Sequence, residues 1–173
     1  MISCTEFIAA YSELFKFLEK KGGKKAVADF WNFLSDKYLS TSLKRLVKKN
    51  GIRGCWDYWQ HALNEEAADF TMELDEQAGI FKIIMHYCPS KGRLLKWRHI
   101  KPYADYCRHC DVLYRRILEP LGYRYEPDLS QTNKARCSVI ITRKNKMQSK
   151  KIGGKKHERK TGHCRRQAVI ETK

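Results

Sequence analysis

The stretch YADYCRHCDVLYRRILEPLGY, residues 103–123, sets Cys107 and Cys110 three apart, with His109 between them and Asp111 next. Side chains three apart share a helix face, so the two sulfurs can converge on one ion. Two ligands are too few for a closed metal site, and the chain offers two more. Cys88 ends an alternating stretch just before Pro89, and Cys137 lies on the strand face of Val139 and Ile141. Cys88, Cys107, Cys110 and Cys137 would make a four-thiolate zinc site if their elements meet, or three thiolates and an open position that activates water. An iron–sulfur cluster uses the same donors and ranks below zinc. A thioredoxin-like redox pair ranks lower still, because the pair does not follow a strand that opens a βαβ unit. The competing reading is that Cys88 and Cys137 are small buried apolar groups and Cys107 and Cys110 an uncoordinated pair.

Neighbouring groups extend the chemistry. Asp111 can orient a ligand or act as a general base, or simply complement the dipole in the early turns of its helix. His109 is offset from both cysteine directions and is expected to face solvent, with an acid–base role as the functional alternative. His86 shares the strand face of Cys88 and reads as a half-buried core histidine or a substitute ligand. His99 lies in a basic stretch and reads as surface.

Positioning these groups requires specific elements. Phe7, Tyr11, Leu14, Phe15 and Leu18 recur at helical steps before KGG at 21–23 stops the run. Ala26 to Leu34 repeats the pattern, a shorter helix follows the Ser/Thr cluster at 40–42, and CWDYWQHALNEEA at 55–67 makes a fourth helix. At Asp69 the period changes to two, and EQAG joins two strands into a hairpin. Pro102 suits a helix start and Pro120 with Gly122 a helix end, which predicts a helix over 102–119. GYRYEP and ARCSVIITRK then read as strands. The predicted fold is α+β: amino-terminal helices in residues 1–67, then a β-β-α-β-β unit with an antiparallel sheet in residues 68–144, forming one domain.

Residues 145–173 form a separate compositional region. Residues 143–173 hold twelve Lys and Arg against two Glu, so only +6 of the chain's +16 belongs to residues 1–142. The tail has few large apolar residues to offset its ordering entropy and is expected to be disordered. Nucleic-acid binding, if present, would be non-specific and carried by this tail. The apolar runs are short and the start of the chain lacks a basic segment followed by an apolar core, so neither a membrane span nor a signal peptide is predicted. The expected location is the cytoplasm, where seven cysteines stay reduced.

YCRHCDVLYRRILEPLGY together with ARCSVIITRK resembles the family of L-2-amino-thiazoline-4-carboxylic acid hydrolase over residues 65–144. Those proteins are similar in pairing amino-terminal helices with a cysteine-centred half, in which a Cys and a nearby Asp precede a helix and a late Cys sits in the closing strand. Cys110 with Asp111, and Cys137, match those positions, with Cys88 and Cys107 alongside. The segment RCSVII departs from the acidic residue that the family pattern carries after the late cysteine. The resemblance implies water attack on the C=N carbon of a small cyclic amidine-like carboxylate, with Asp111 or His109 as base, a cysteine-held metal as support or Lewis acid, and Arg108 or Arg136 gripping the carboxylate. The layout is also similar to vinyl-reductase-type domains, which imply a non-catalytic, zinc-stabilised sensor of small ligands.

Overall fold

The computed structural model describes residues 4–144 and 170–172. Its helical half opens with α1 (Cys4–Leu34), a run broken at Gly22 and Gly23, whose φ of 67° at Gly23 lies in the left-handed region that suits glycine. The two helices predicted on either side of KGG are therefore the two arms of this kinked element. A short π-helical turn (Ser35–Leu39) leads into α2 (Ser40–Asn50), and α3 (Arg53–Glu65) follows. Gly51, at φ 62°, ends α2 and turns the chain. Gly54 then lets α3 cross α2 at close range: a Cβ there would stand 2.3 Å from the Leu46 carbonyl oxygen.

The second half begins with the hairpin β1 (Asp69–Asp75) and β2 (Ile80–Tyr87). α4 (Pro89–Lys96) and α5 (Arg108–Leu118) come next, then β3 (Tyr123–Asp128) and β4 (Cys137–Arg143). These four strands form one antiparallel sheet, and residues Ile170–Thr172 add β5 at its edge against β1, giving the order β3-β4-β2-β1-β5. The α+β architecture is as the sequence predicts. The disorder expected of the tail does not extend to β5; residues 145–169 lie outside the described residues. Among the described residues no helix is long and apolar enough to cross a membrane.

Two details differ from the sequence reading. α4 forms within a stretch read only as basic, because Pro89 sits at its first turn and the Cys88 sulfur accepts the Lys91 N–H. α5 begins at Arg108, six residues after Pro102, because residues 104–107 form turns before the helix and Cys107 occupies its N-cap. Pro102 therefore marks the approach to the helix rather than its first turn.

Apolar side chains collect in two clusters. One lies between the sheet and α3 with α5, built on Phe70, Met72, Phe81, Ile141, Trp56 and Trp59. The other joins the arms of α1 to α4 and α5 through Phe15, Val27, Trp31, Leu94 and Leu113. α5 supplies both, with Ile117 and Leu118 in the first and Leu113 in the second. Two fully buried serines tie α1 and the following turn to this region: Ser12 Oγ accepts the Tyr103 N–H at 2.8 Å, and Ser35 Oγ donates to the Leu113 carbonyl at 2.8 Å. Buried hydroxyls demand such partners. Arg116 also grips Asp36 through Nε at 2.7 Å and Nη2 at 2.9 Å.

Gly54→Ala is expected to cost about 3 kcal/mol, since the clash is with backbone that cannot rotate away. The check is a lowered urea midpoint with an unchanged denaturant slope.

Candidate functional site

The structure places the four predicted cysteines at the starts of three elements: Cys88 at α4, Cys107 and Cys110 at α5, and Cys137 at β4. β2 pairs with β4 so that Met85 lies opposite Cys137, and the Cys88 N–H donates to the Ala135 carbonyl at 2.7 Å. Cys107 and Cys110 approach on the first turn of α5. Burial is the main cause that lifts every one of these thiols, Cys88 to about 11 and Cys107, Cys110 and Cys137 to about 12. Their mutual charges add to it: Cys137 feels Cys88, Cys110 and Cys107, and Cys88 feels Cys110. All four therefore stand as neutral thiols at neutral pH. Among the described residues, no group of three or more His, Cys, Asp or Glu side chains is arranged to hold a metal ion.

His109 is half-buried rather than fully turned to solvent. Its ring is packed by Tyr106 at 4.9 Å, Tyr11 at 5.6 Å and Phe15 at 5.9 Å between centroids. Burial pulls its pKa down to about 4, against weaker upward contributions from the Tyr106 carbonyl and the Glu66 charge, so the imidazole is uncharged at neutral pH. Nδ1 faces the Tyr106 carbonyl oxygen. A carbonyl can only accept, so Nδ1 carries the hydrogen and Nε2 the lone pair. Nε2 stands 3.4 Å from Cys110 Sγ, and the thiol S–H is its donor. Thiol, imidazole and orienting carbonyl thus stand in the sequence nucleophile, base, orienter.

His109 also lines a cavity of about 600 Å³ between α1, the end of α3, α4 and α5. Phe7, Ile8 and Leu14 give it an apolar wall, and Tyr11, Glu66, Ser90 and Tyr106 add polar atoms. Ser90 and Tyr106 share a hydroxyl hydrogen bond of 2.7 Å. The size suits a small molecule, and an apolar wall with a few convergent polar groups is the usual build of such sites.

The remaining predicted residues lie elsewhere. Asp111 spends Oδ1 on Arg115, whose Nε and Nη2 approach to 2.9 and 2.7 Å, and Arg115 also reaches Glu119 at 3.2 Å. It does not line the cavity, whereas His109 does. Arg108 and Arg136 are exposed, and neither lines the cavity. His86 is exposed, not half-buried, with Nε2 at 2.7 Å from Thr71 Oγ1 across the hairpin. His99 is exposed, as read from sequence. A second surface concavity of about 500 Å³ is formed by Thr41, Lys44, Arg45, Lys48 and Lys49, which puts much of the domain's positive charge on α2, away from His109.

Tyr11, Glu66, Ser90 and Tyr106 were not singled out by sequence reasoning. Tyr11 and Tyr106 look like core aromatics, and Glu66 ends a helix with no motif around it. Ser90 alone had a local cue, in the Cys88–Pro89 helix start. No protein-family model, curated protein or solved structure matches the chain.

The lowered His109 pKa sets a stability signature. The unfolded imidazole, near its ordinary value of about 6.5, takes a proton before the folded one as pH falls. This contribution is therefore present above about pH 6.5, declines as pH falls towards about 4 and is flat below. Between pH 7.5 and 4.5 the wild type is expected to lose about 2 to 3 kcal/mol more than His109→Gln, measured by urea unfolding at both pH values.

Proposed function

We propose that the chain is a hydrolase that opens a small cyclic amidine-like ring by adding water at its C=N carbon, with His109 as the base. One observation carries this reading: a fixed, uncharged imidazole in the wall of a cavity sized for a small molecule. The resemblance to thiazoline-carboxylate hydrolases supports the choice of reaction, and the placement of His109 supports the choice of base.

The residues perform the step as follows. Substrate water displaces the weak S–H contact at Nε2 and gives that nitrogen a proton as its oxygen attacks the ring carbon. The imidazolium so formed is balanced by the Tyr106 carbonyl at Nδ1–H and by the Glu66 carboxylate, both of which favour its charged form. The carbon–sulfur bond then breaks and the ring sulfur leaves with its electron pair. His109 returns the proton to that sulfur, the second water proton moves to the former imine nitrogen, and the added oxygen becomes the carbonyl of the opened product.

A non-catalytic ligand sensor is the competing proposal, favoured by the charge that Cys88, Cys107 and Cys110 exert on Cys137. It requires purified protein with about one zinc per chain and no ring opening.

The test is turnover of 2-aminothiazoline-4-carboxylate, followed by release of free thiol. His109→Gln is expected to lower kcat/KM by at least about 100-fold. Asp111→Asn is expected to stay within about threefold of wild type, because its carboxylate acts on Arg115. Retained activity in His109→Gln, or no turnover by the parent, overturns the proposal. The acid limb of kcat/KM is expected near pH 4, where His109 gains its proton, and a limb near 6.5 would contradict the buried state.

A further inference from the structure

The cavity at His109 is one-sided in charge. Among the described residues Glu66 is the acidic side chain that lines it, and no Lys or Arg does. The other polar groups are hydroxyls and the neutral imidazole, and Phe7, Tyr11 and Tyr106 bring aromatic rings to its lining. A carboxylate beside aromatic faces attracts a cation, since the ring quadrupole presents negative charge over each face.

Glu66 is also held in place at a cost. It is the C-cap of α3, where the helix dipole disfavours an anion, and Glu65 precedes it. The chain turns immediately after it through two bonds, Ala67 N–H to the Asn64 carbonyl at 3.1 Å and Ala68 N–H to the Leu63 carbonyl at 3.1 Å. That is a Schellman turn, whose left-handed position usually takes glycine. Here it is taken by Ala67 at φ 50°, a strained conformation for a residue with a Cβ. Buried Ala68 anchors the turn on its far side. The exposed Glu66 side chain therefore lines the cavity from a strained turn at the end of a helix that disfavours an anion.

We propose that Glu66 makes this cavity selective for small ligands carrying a delocalised cation, and that the cation sits between its carboxylate and the rings of Tyr11 and Tyr106. This deepens the reading above, in which the ligand is a cyclic amidine: protonated, such a ring carries its charge over the N–C–N unit that water attacks. Glu66 then orients the reacting carbon towards His109 and raises its electrophilicity by favouring the protonated form, in which the ring nitrogen already holds its proton and the second water proton passes to solvent. A substrate carboxylate has no cation to meet inside and points to the open side of the cavity. The specificity thus follows the amidinium end, in contrast to the carboxylate grip expected of Arg108 or Arg136.

The experiment uses three isosteric probes that need no turnover: benzamidine, a cation; benzamide, neutral; and benzoate, an anion. Binding to the full chain is followed by chemical-shift titration. Benzamidine is expected to bind at least about tenfold more tightly than benzamide, and benzoate more weakly than either. Glu66→Gln is expected to erase the preference for the cation, while Glu65→Gln keeps it. Equal binding of benzamidine and benzamide, no binding of any probe, or a preference that survives Glu66→Gln overturns the proposal. Thiazoline ring opening is measured in parallel. Cation preference without turnover removes the hydrolase reading and leaves this one, and turnover without cation preference does the reverse.

Discussion

Helix α5 has to be buried on two sides at once, and the rest of the molecule follows from that. Ile117 and Leu118 need the sheet and α3, Leu113 needs the arms of α1, and neither half of the protein supplies both surfaces. The buried bonds of Ser12 and Ser35 and the Arg116–Asp36 pair act at the same junction. Buried Leu or Ile side chains each contribute about 1.5 to 3 kcal/mol, so three on one short helix outweigh any propensity term in fixing its place. The cavity exists because α5 is wedged there: its walls come from α1, the end of α3, α4 and α5, and none of these borders a complete pocket alone.

Burial acts on the site with opposite signs from a single cause. A low-polarity surrounding disfavours whichever form is charged, so the thiols rise and the imidazole falls. The result is a neutral thiol beside a neutral imidazole, in contrast to the thiolate–imidazolium pair found where cations surround a cysteine. The charges that act on Cys110, Glu66 and Asp111, are both anionic and push the thiol further up. The geometry consequently favours a base that acts on water over a pre-ionised sulfur.

Much of the scaffold was legible because it is encoded locally. The change of period at Asp69, the KGG break and the Pro120–Gly122 stop each follow from a few adjacent residues, and the structure has an element boundary at the first and last and a kink within α1 at the second. Cys137 lies in the last long strand, as read, opposite Met85, whereas Cys88 falls just past β2 and caps α4. The orientation of His109 was not legible. Its place on α5 is next to Cys110, and whether that angle meets water or protein depends on Tyr11 and Phe15, nearly a hundred residues earlier in the chain. Asp111 has a local partner instead, Arg115 one helical turn away, and does not line the cavity. α4 was hidden by its lysines and arginines, whose charge suggested surface and masked the turn of helix that Pro89 starts.

His109 and Cys110 are consecutive residues of one helix. In most thiol–imidazole pairs the partners come from distant segments, and any hinge or loop between them can pull them apart. Here a peptide bond is the tether, so a transplanted turn of α5 would bring both groups into a new protein together. The uncharged state would stay behind, because it belongs to the rings that enclose the imidazole: on a bare helix in water the same histidine would titrate near its ordinary value of about 6.5. Geometry is portable in this molecule, and protonation state is not.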